Sequence, residues 1–142
     1  MYQIIFSSPL VWNQKVAHEK YQLMSIVDGT NPVLHYQVVL VYASSGCPFS
    51  ELVRDLRSLL RGDMTTIITG DFNFDKKENN ALTTFLNKEK FTQIVDWPTQ
   101  KEGRTIDHCY VQKKLVDRFE LTFHSPYYSD HDVLCININV GE

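Results

Sequence analysis

The apolar positions along the chain follow two rhythms. In DVLCININV (132–140), Leu134, Ile136, Ile138 and Val140 alternate with Cys135, Asn137 and Asn139, the period of two that turns one side of a strand to a core. In ELVRDLRSLLR (51–61), Leu52, Leu56, Leu59 and Leu60 recur at helical spacing, with Ser50 placed to cap the helix and Gly62 to stop it. A weaker helical stripe of Leu82, Phe85 and Leu86 runs through NALTTFLNK (80–88). HYQVVLVYAS (35–44) holds the nearly continuous run VVLVY, which predicts a strand covered on both faces, and MTTIIT (64–69) predicts the next one.

Further strands are predicted over YQIIFS (2–7), YQLMSIVDG (21–29), TIDHCYVQ (105–112) and FELTFHS (119–125). FTQIVDW (91–97) reads as a short strand or a loop ended by Pro98. Strands and a few helices without strict alternation indicate an α+β mixed sheet or layered sandwich. No repeat, low-complexity tract or linker divides the chain, so residues 1–142 are expected to form a single domain.

Composition adds limits. The chain has 142 residues, 43% hydrophobic and 22% charged, enough to bury a core. No apolar run approaches the ~20 residues of a membrane span, and MYQIIFSSPLVW lacks the basic start and cleavage site of a signal peptide. Cys47, Cys109 and Cys135 are odd in number and have no C-x-x-C spacing. That argues against a disulfide framework or a zinc site and for a reducing, intracellular setting, the nucleus included. A net charge of −3 is no signature of a broad basic grip on nucleic acid, and it leaves open contact with one phosphate through a metal ion.

The polar residues collect at strand ends. GDFNFD (70–75) follows one apolar strand, Tyr42 lies at the end of another, Asp107 sits inside TIDHCYV, and Ser129-Asp130-His131 precedes the last strand. Each has a plainer explanation when taken alone. GDFN reads equally as a Gly-Asp turn with Asx hydrogen bonds, and SDH as a turn leading into a strand. Asp107 is harder to dismiss, because a buried carboxylate without a partner costs several kcal/mol. His108 alternates with Asp107 and is expected to pack on the opposite face. His18, His35 and His124 read as surface or core residues, Cys109 and Cys135 as buried apolar groups, and Asp75, followed by the solvated-looking KKENN, as a surface residue.

Taken in order, YQVVLVYASS, an amphipathic helix, IITGDFN, TIDHCYV and YYSDHDVLCI resemble the endonuclease/exonuclease/phosphatase superfamily over about residues 35–142. The tyrosine that ends the first of these strands makes the chain most similar to the endonucleases of LINE-type mobile elements, and next to abasic-site endonucleases. The resemblance implies a four-layer α/β/β/α sandwich with a site at one edge of its two sheets. It also implies metal-dependent hydrolysis of a phosphodiester, most simply the nicking of DNA.

By the same resemblance, Asp71 orients or deprotonates the attacking water, and Asn73 donates to a phosphate oxygen. His131 contacts the scissile phosphate and is kept protonated by Asp107, Asp130 is a metal-side carboxylate, and Tyr42 binds phosphate or assists the leaving group. Mg2+, or Mn2+ in its place, suits such oxygen donors. Nucleic acid is the implied partner and a membrane is not.

The family also carries an N-terminal asparagine and a metal-binding glutamate, which have no clear counterpart here. Asn13 and Glu19 are the nearest candidates. The expectation is therefore an N-terminally truncated domain, completed by a further segment or belonging to a larger polyprotein. Two alternatives stay open: an inactive module that binds phosphate or nucleic acid, and a phosphatase of the same fold.

Overall fold

The VVLVY run lies in the interior of a six-stranded sheet. The computed structural model describes residues 2–5, 14–28, 35–96, 98–99, 102–124 and 133–138. Its elements are strands β1 (Tyr2–Ile5), β2 (Gln14–Ala17), β3 (Tyr21–Asp28) and β4 (Tyr36–Ala43), helix α1 (Phe49–Leu59), strand β5 (Thr65–Asp71) and helix α2 (Ala81–Lys88). Strands β6 (Phe91–Gln93) and β7 (Asp107–Gln112), a 3-10 helix (Lys113–Arg118), and strands β8 (Phe119–His124) and β9 (Val133–Ile138) complete the order.

The larger sheet runs β2-β3-β4-β5-β7-β6, and β1-β9-β8 form a second, three-stranded sheet. β4 and β5 pair in parallel, while their outer neighbours pair antiparallel. A parallel pair needs a crossover connection, and α1 supplies it. Its Leu52, Leu56 and Leu59 are buried against the sheet in one cluster with Leu23, Val39, Val41, Ile68 and, from α2, Leu82, Phe85 and Leu86.

Alternation along the strands sends their other residues to the opposite side. There Val38, Ile67, Cys109 and Val111 form a second cluster, against which Phe119 and Leu121 of β8 pack. Helices, the six-stranded sheet and the second sheet are thus stacked as an α/β sandwich. Helices of the expected fourth layer are not among the described residues.

Several local expectations need correction. α1 starts at Phe49 with Pro48, not Ser50, at its N-cap: the Pro48 carbonyl accepts from the N–H groups of Glu51 (3.0 Å) and Leu52 (3.1 Å), and Ser50 is exposed inside the first turn. In α2, Asn80 is the cap, accepting from the N–H groups of Leu82 (2.9 Å) and Thr83 (3.1 Å), while its own N–H donates to Thr83 Oγ1 (2.9 Å). β6 is three residues long, and β2 and the 3-10 helix have no counterpart in the periodicity.

Buried Gln37 ties the end of α1 to the sheet. Its side chain donates to the Leu59 carbonyl (2.7 Å) and to Ser25 Oγ (3.0 Å) and accepts from the Arg61 N–H (2.8 Å), satisfying backbone groups that a helix end leaves open.

Candidate functional site

Strand register brings three of the expected residues into one row. Tyr42 on β4 stands opposite Asp71 on β5, and Asp71 stands opposite Asp107 on β7. Directly opposed residues share a face of the sheet. Neighbouring strands lie about 4.8 Å apart, so the row is roughly 10 Å long. It continues through β3, where exposed Gln22 opposes Tyr42. Its face is that of Val38, Ile67 and Cys109, turned toward the second sheet. Tyr42 is 54% exposed, Asp71 is half-buried, and Asp107 is 9% exposed.

Gly70 makes this row possible. It has φ +142°, and a Cβ there would stand 1.9 Å from the Val41 carbonyl oxygen, so any side chain would push β5 off β4 just before Asp71. Beyond the strand, the Phe72 N–H donates to the Ile106 carbonyl (2.8 Å). Asn73 adopts φ +56°, a left-handed conformation asparagine tolerates, and its N–H donates to Asp71 Oδ1 (3.0 Å). This is the Asx turn that GDFN suggested. Phe72 and Phe74 are buried on the helix side, Phe72 stacked on His108 with ring centroids 4.9 Å apart.

Asp75 is a surface residue, but a tethered one. It is half-buried, and its Oδ1 accepts the Thr105 N–H at 2.8 Å, while the Lys76 N–H donates to the Thr105 carbonyl (3.0 Å). The backbone hydrogen bond from Thr105 holds the Asp75 carboxyl below its ordinary range. The loop after Asp71 is thereby fastened to the segment entering β7. Thr99 fixes that segment from behind, its Oγ1 accepting the N–H groups of Ile106 (3.1 Å) and Asp107 (3.0 Å). Asp107 is accordingly the first residue of β7, at the site end of the sheet, and not a residue of the strand interior.

His108 faces away from the row, as alternation predicts. It is fully buried among Phe72, Phe74 and Tyr110, with Nδ1 2.9 Å from Tyr110 Oη and Nε2 2.8 Å from the Thr105 carbonyl. Burial depresses its pKa and keeps the ring neutral. Cys109 is buried and desolvation pushes its thiol up to about 12, which disfavours the thiolate and fits a packed apolar group. His18 has an acidic neighbour that the sequence did not reveal: its Nε2 lies 3.0 Å from Glu51 Oε2, and its ring stacks on Tyr21. Glu19 is exposed in the bend between β2 and β3, at the same end of the sheet as the row. Asp130, His131 and Asn13 lie outside the described residues.

Two residues matter here that the motifs did not flag. Gln22 has no motif and is placed only by strand register. Thr99 is placed only by a turn, in which its N–H donates to the Arg104 carbonyl (3.1 Å). Among the described residues no three His, Cys, Asp or Glu side chains gather as a metal site. Asp71 and Asp107 nevertheless bring two carboxylates to one row, and hard oxygen donors of this kind fit Mg2+ or Mn2+.

A family model described as endonuclease-reverse transcriptase matches residues 36–135. The endonuclease domain of TRAS1, a telomere-specific non-LTR retrotransposon, superposes with a TM-score of 0.69 at 16% identity, covering 91% of this chain and 68% of that one. An endonuclease/exonuclease/phosphatase family protein from Leptotrichia buccalis C-1013-b gives a TM-score of 0.63 at 14% identity, covering 83% of this chain and 53% of that one. One from Bacteroides thetaiotaomicron gives 0.50 at 15% identity, covering 82% and 54%. This chain therefore spans about half the length of the two bacterial proteins and about two thirds of the retrotransposon domain. No curated protein matches the sequence significantly.

Proposed function

The chain belongs to the endonuclease-reverse transcriptase family, within the endonuclease/exonuclease/phosphatase superfamily, and on that premise we propose that it hydrolyses phosphodiesters with a divalent metal ion, nicking DNA. The observation that carries the proposal is the row of Tyr42, Asp71 and Asp107 on three adjacent strands.

Hydrolysis of a phosphodiester requires a positioned water, stabilisation of charge at phosphorus and help for the leaving oxygen. Asp71, half-buried and oriented by the Asn73 N–H, is the carboxylate that orients or deprotonates the water. Asn73, held by the same turn beside Asp71, donates to a phosphate oxygen. Tyr42, exposed at the end of the row, is accessible to a large substrate and hydrogen-bonds phosphate or assists the leaving group. Asp107, its backbone fixed by Thr99, orients His131 and favours the imidazolium, which contacts the scissile phosphate.

Asp130 is the carboxylate assigned to the metal, Mg2+ or Mn2+, ions that take hard oxygen donors. Once bound, such an ion neutralises charge on the phosphoryl oxygens. No helix among the described residues is long and apolar enough to cross a membrane.

The test is conversion of supercoiled plasmid to open circles by chain 1–142 in Mg2+ or Mn2+, with EDTA and Asp71→Asn as controls. Metal-dependent nicking that Asp71→Asn reduces about 10²- to 10³-fold is expected, the scale of losing one group that acts in the transition state. A folded chain that does not nick, or that nicks equally well as Asp71→Asn, overturns the assignment.

A further inference from the structure

At the other end of β5 from Asp71, and on the helix side of the sheet, the chain forms an open cleft of about 540 Å³. Its walls come from the end of α1 (Leu60, Arg61), the start of β5 (Thr66), the end of α2 with the residues after it (Glu89, Lys90), and the junction of β7 with the 3-10 helix (Gln112, Lys113, Lys114). The volume lies within the range of roughly 300–1,000 Å³ usual for small-molecule sites.

The charge of the lining is unlike that of the chain. Four cations, Arg61, Lys90, Lys113 and Lys114, face one carboxylate, Glu89, whereas the whole chain carries −3. Arg61 has an exposed ionic contact with Asp63 at 3.7 Å. Lys90, Lys113 and Lys114 have no acidic partner within 4.0 Å among the described residues. Three lysines outside any ion pair among the described residues line one cleft beside a single carboxylate, an excess of positive charge that a bound anion offsets.

The walls are also held in place. The Lys113 N–H donates to the Lys90 carbonyl (2.9 Å), the Thr66 N–H to Gln112 Oε1 (3.2 Å), and Gln112 Nε2 to the Met64 carbonyl (3.2 Å). Half-buried Leu60 and buried Phe91 supply an apolar side. A ligand with both an anionic and a less polar part matches this division.

We propose that the cleft is a second binding site, taking a small organic phosphate of the size of a mononucleotide: Lys90, Lys113 and Lys114 meet the phosphate, and the Leu60–Phe91 side meets the organic moiety. Thr66 and Asp71 are five residues apart on one strand, about 17 Å at 3.3 Å per residue, and the two sites open on opposite faces. A strand bound across the Tyr42 row therefore does not fill the cleft, and the site is distinct from the proposed catalytic one.

Isothermal titration calorimetry of chain 1–142 in EDTA tests this with adenosine monophosphate, pyrophosphate and an oligothymidylate of eight nucleotides, beside Lys113→Glu/Lys114→Glu. Both lysines are exposed, so the double variant leaves the core intact, and circular dichroism checks that it does. Saturable binding of the nucleotide, tighter than pyrophosphate and weakened about tenfold or more by the double variant, is expected. Pyrophosphate binding as tightly as the nucleotide, preference for the oligonucleotide, or binding indifferent to the two substitutions each overturns the proposal. The readout is independent of nicking, so it stands or falls apart from the nuclease reading.

Discussion

The segment 70–75 and strand β7 each have two sides, and the two sides are held by different forces. On the helix side, Phe72, Phe74, His108 and Tyr110 form a ring cluster with centroids 4.9–6.2 Å apart, fixed by packing. On the other side, Asp71 and Asp107 stand in a row whose backbone is set by Gly70, Thr99 and the tether from Asp75 to Thr105. One short stretch is thus both a plug in the core and the rim of a site. The comparison teaches that the polar side gets its geometry from the apolar side, because a strand that buries Phe72 must turn Asp71 away.

The most damaging way to break the comparison is to attack both sides at once. Gly70→Ala sets a methyl against the Val41 carbonyl at a left-handed position, and a loss above about 4 kcal/mol is expected, large enough to abolish soluble folded protein. Urea unfolding with a midpoint near that of the parent chain would contradict it. Phe72→Ala attacks the packed side alone. It should cost about 3–5 kcal/mol, measured as a lower urea midpoint with an unchanged slope.

Asp71→Asn attacks the polar side alone, and its effect should divide the other way. Stability should stay within about 1 kcal/mol, because amide and carboxylate both accept the Asn73 N–H, while nicking falls. Equal losses of stability and of activity would mean that the two sides are not separable.

The smallest effect concerns pH. The pKa of folded His108 is depressed by burial, so below the ordinary histidine value of about 6.5 the unfolded chain binds a proton that the folded chain does not. Its share of stability is therefore present above that value and is lost as pH falls below it toward the depressed folded value. Asp75, also depressed, adds a loss only at lower pH, below the ordinary carboxylate range. A series of urea midpoints should show the decline, and His108→Gln should flatten it.

Much of this was legible from residue order alone. VVLVY gave an interior strand, the period of two put His108 opposite Asp107, and the leucine spacing gave α1. What escaped was made by contacts far apart in sequence. β2 has one large apolar residue, Val16, between exposed Lys15 and exposed Ala17, too little pattern to mark a strand that pairing with β3 makes. The tether of Asp75 escaped because its partner lies thirty residues away at Thr105. The start of α1 was misplaced because the Pro48 carbonyl, not a serine hydroxyl, meets its first N–H groups. The row itself was legible as a set of residue types, but its membership on one face rests on register, which periodicity does not give.

That register has a consequence in time. Tyr42 and Asp71 are 29 residues apart in the chain, and Asp71 and Asp107 are 36. Contacts of such separation cost loop-closure entropy that a local contact does not. A nascent or partly folded chain carries the aspartates but not the row, so any cutting ability belongs to molecules that have finished folding.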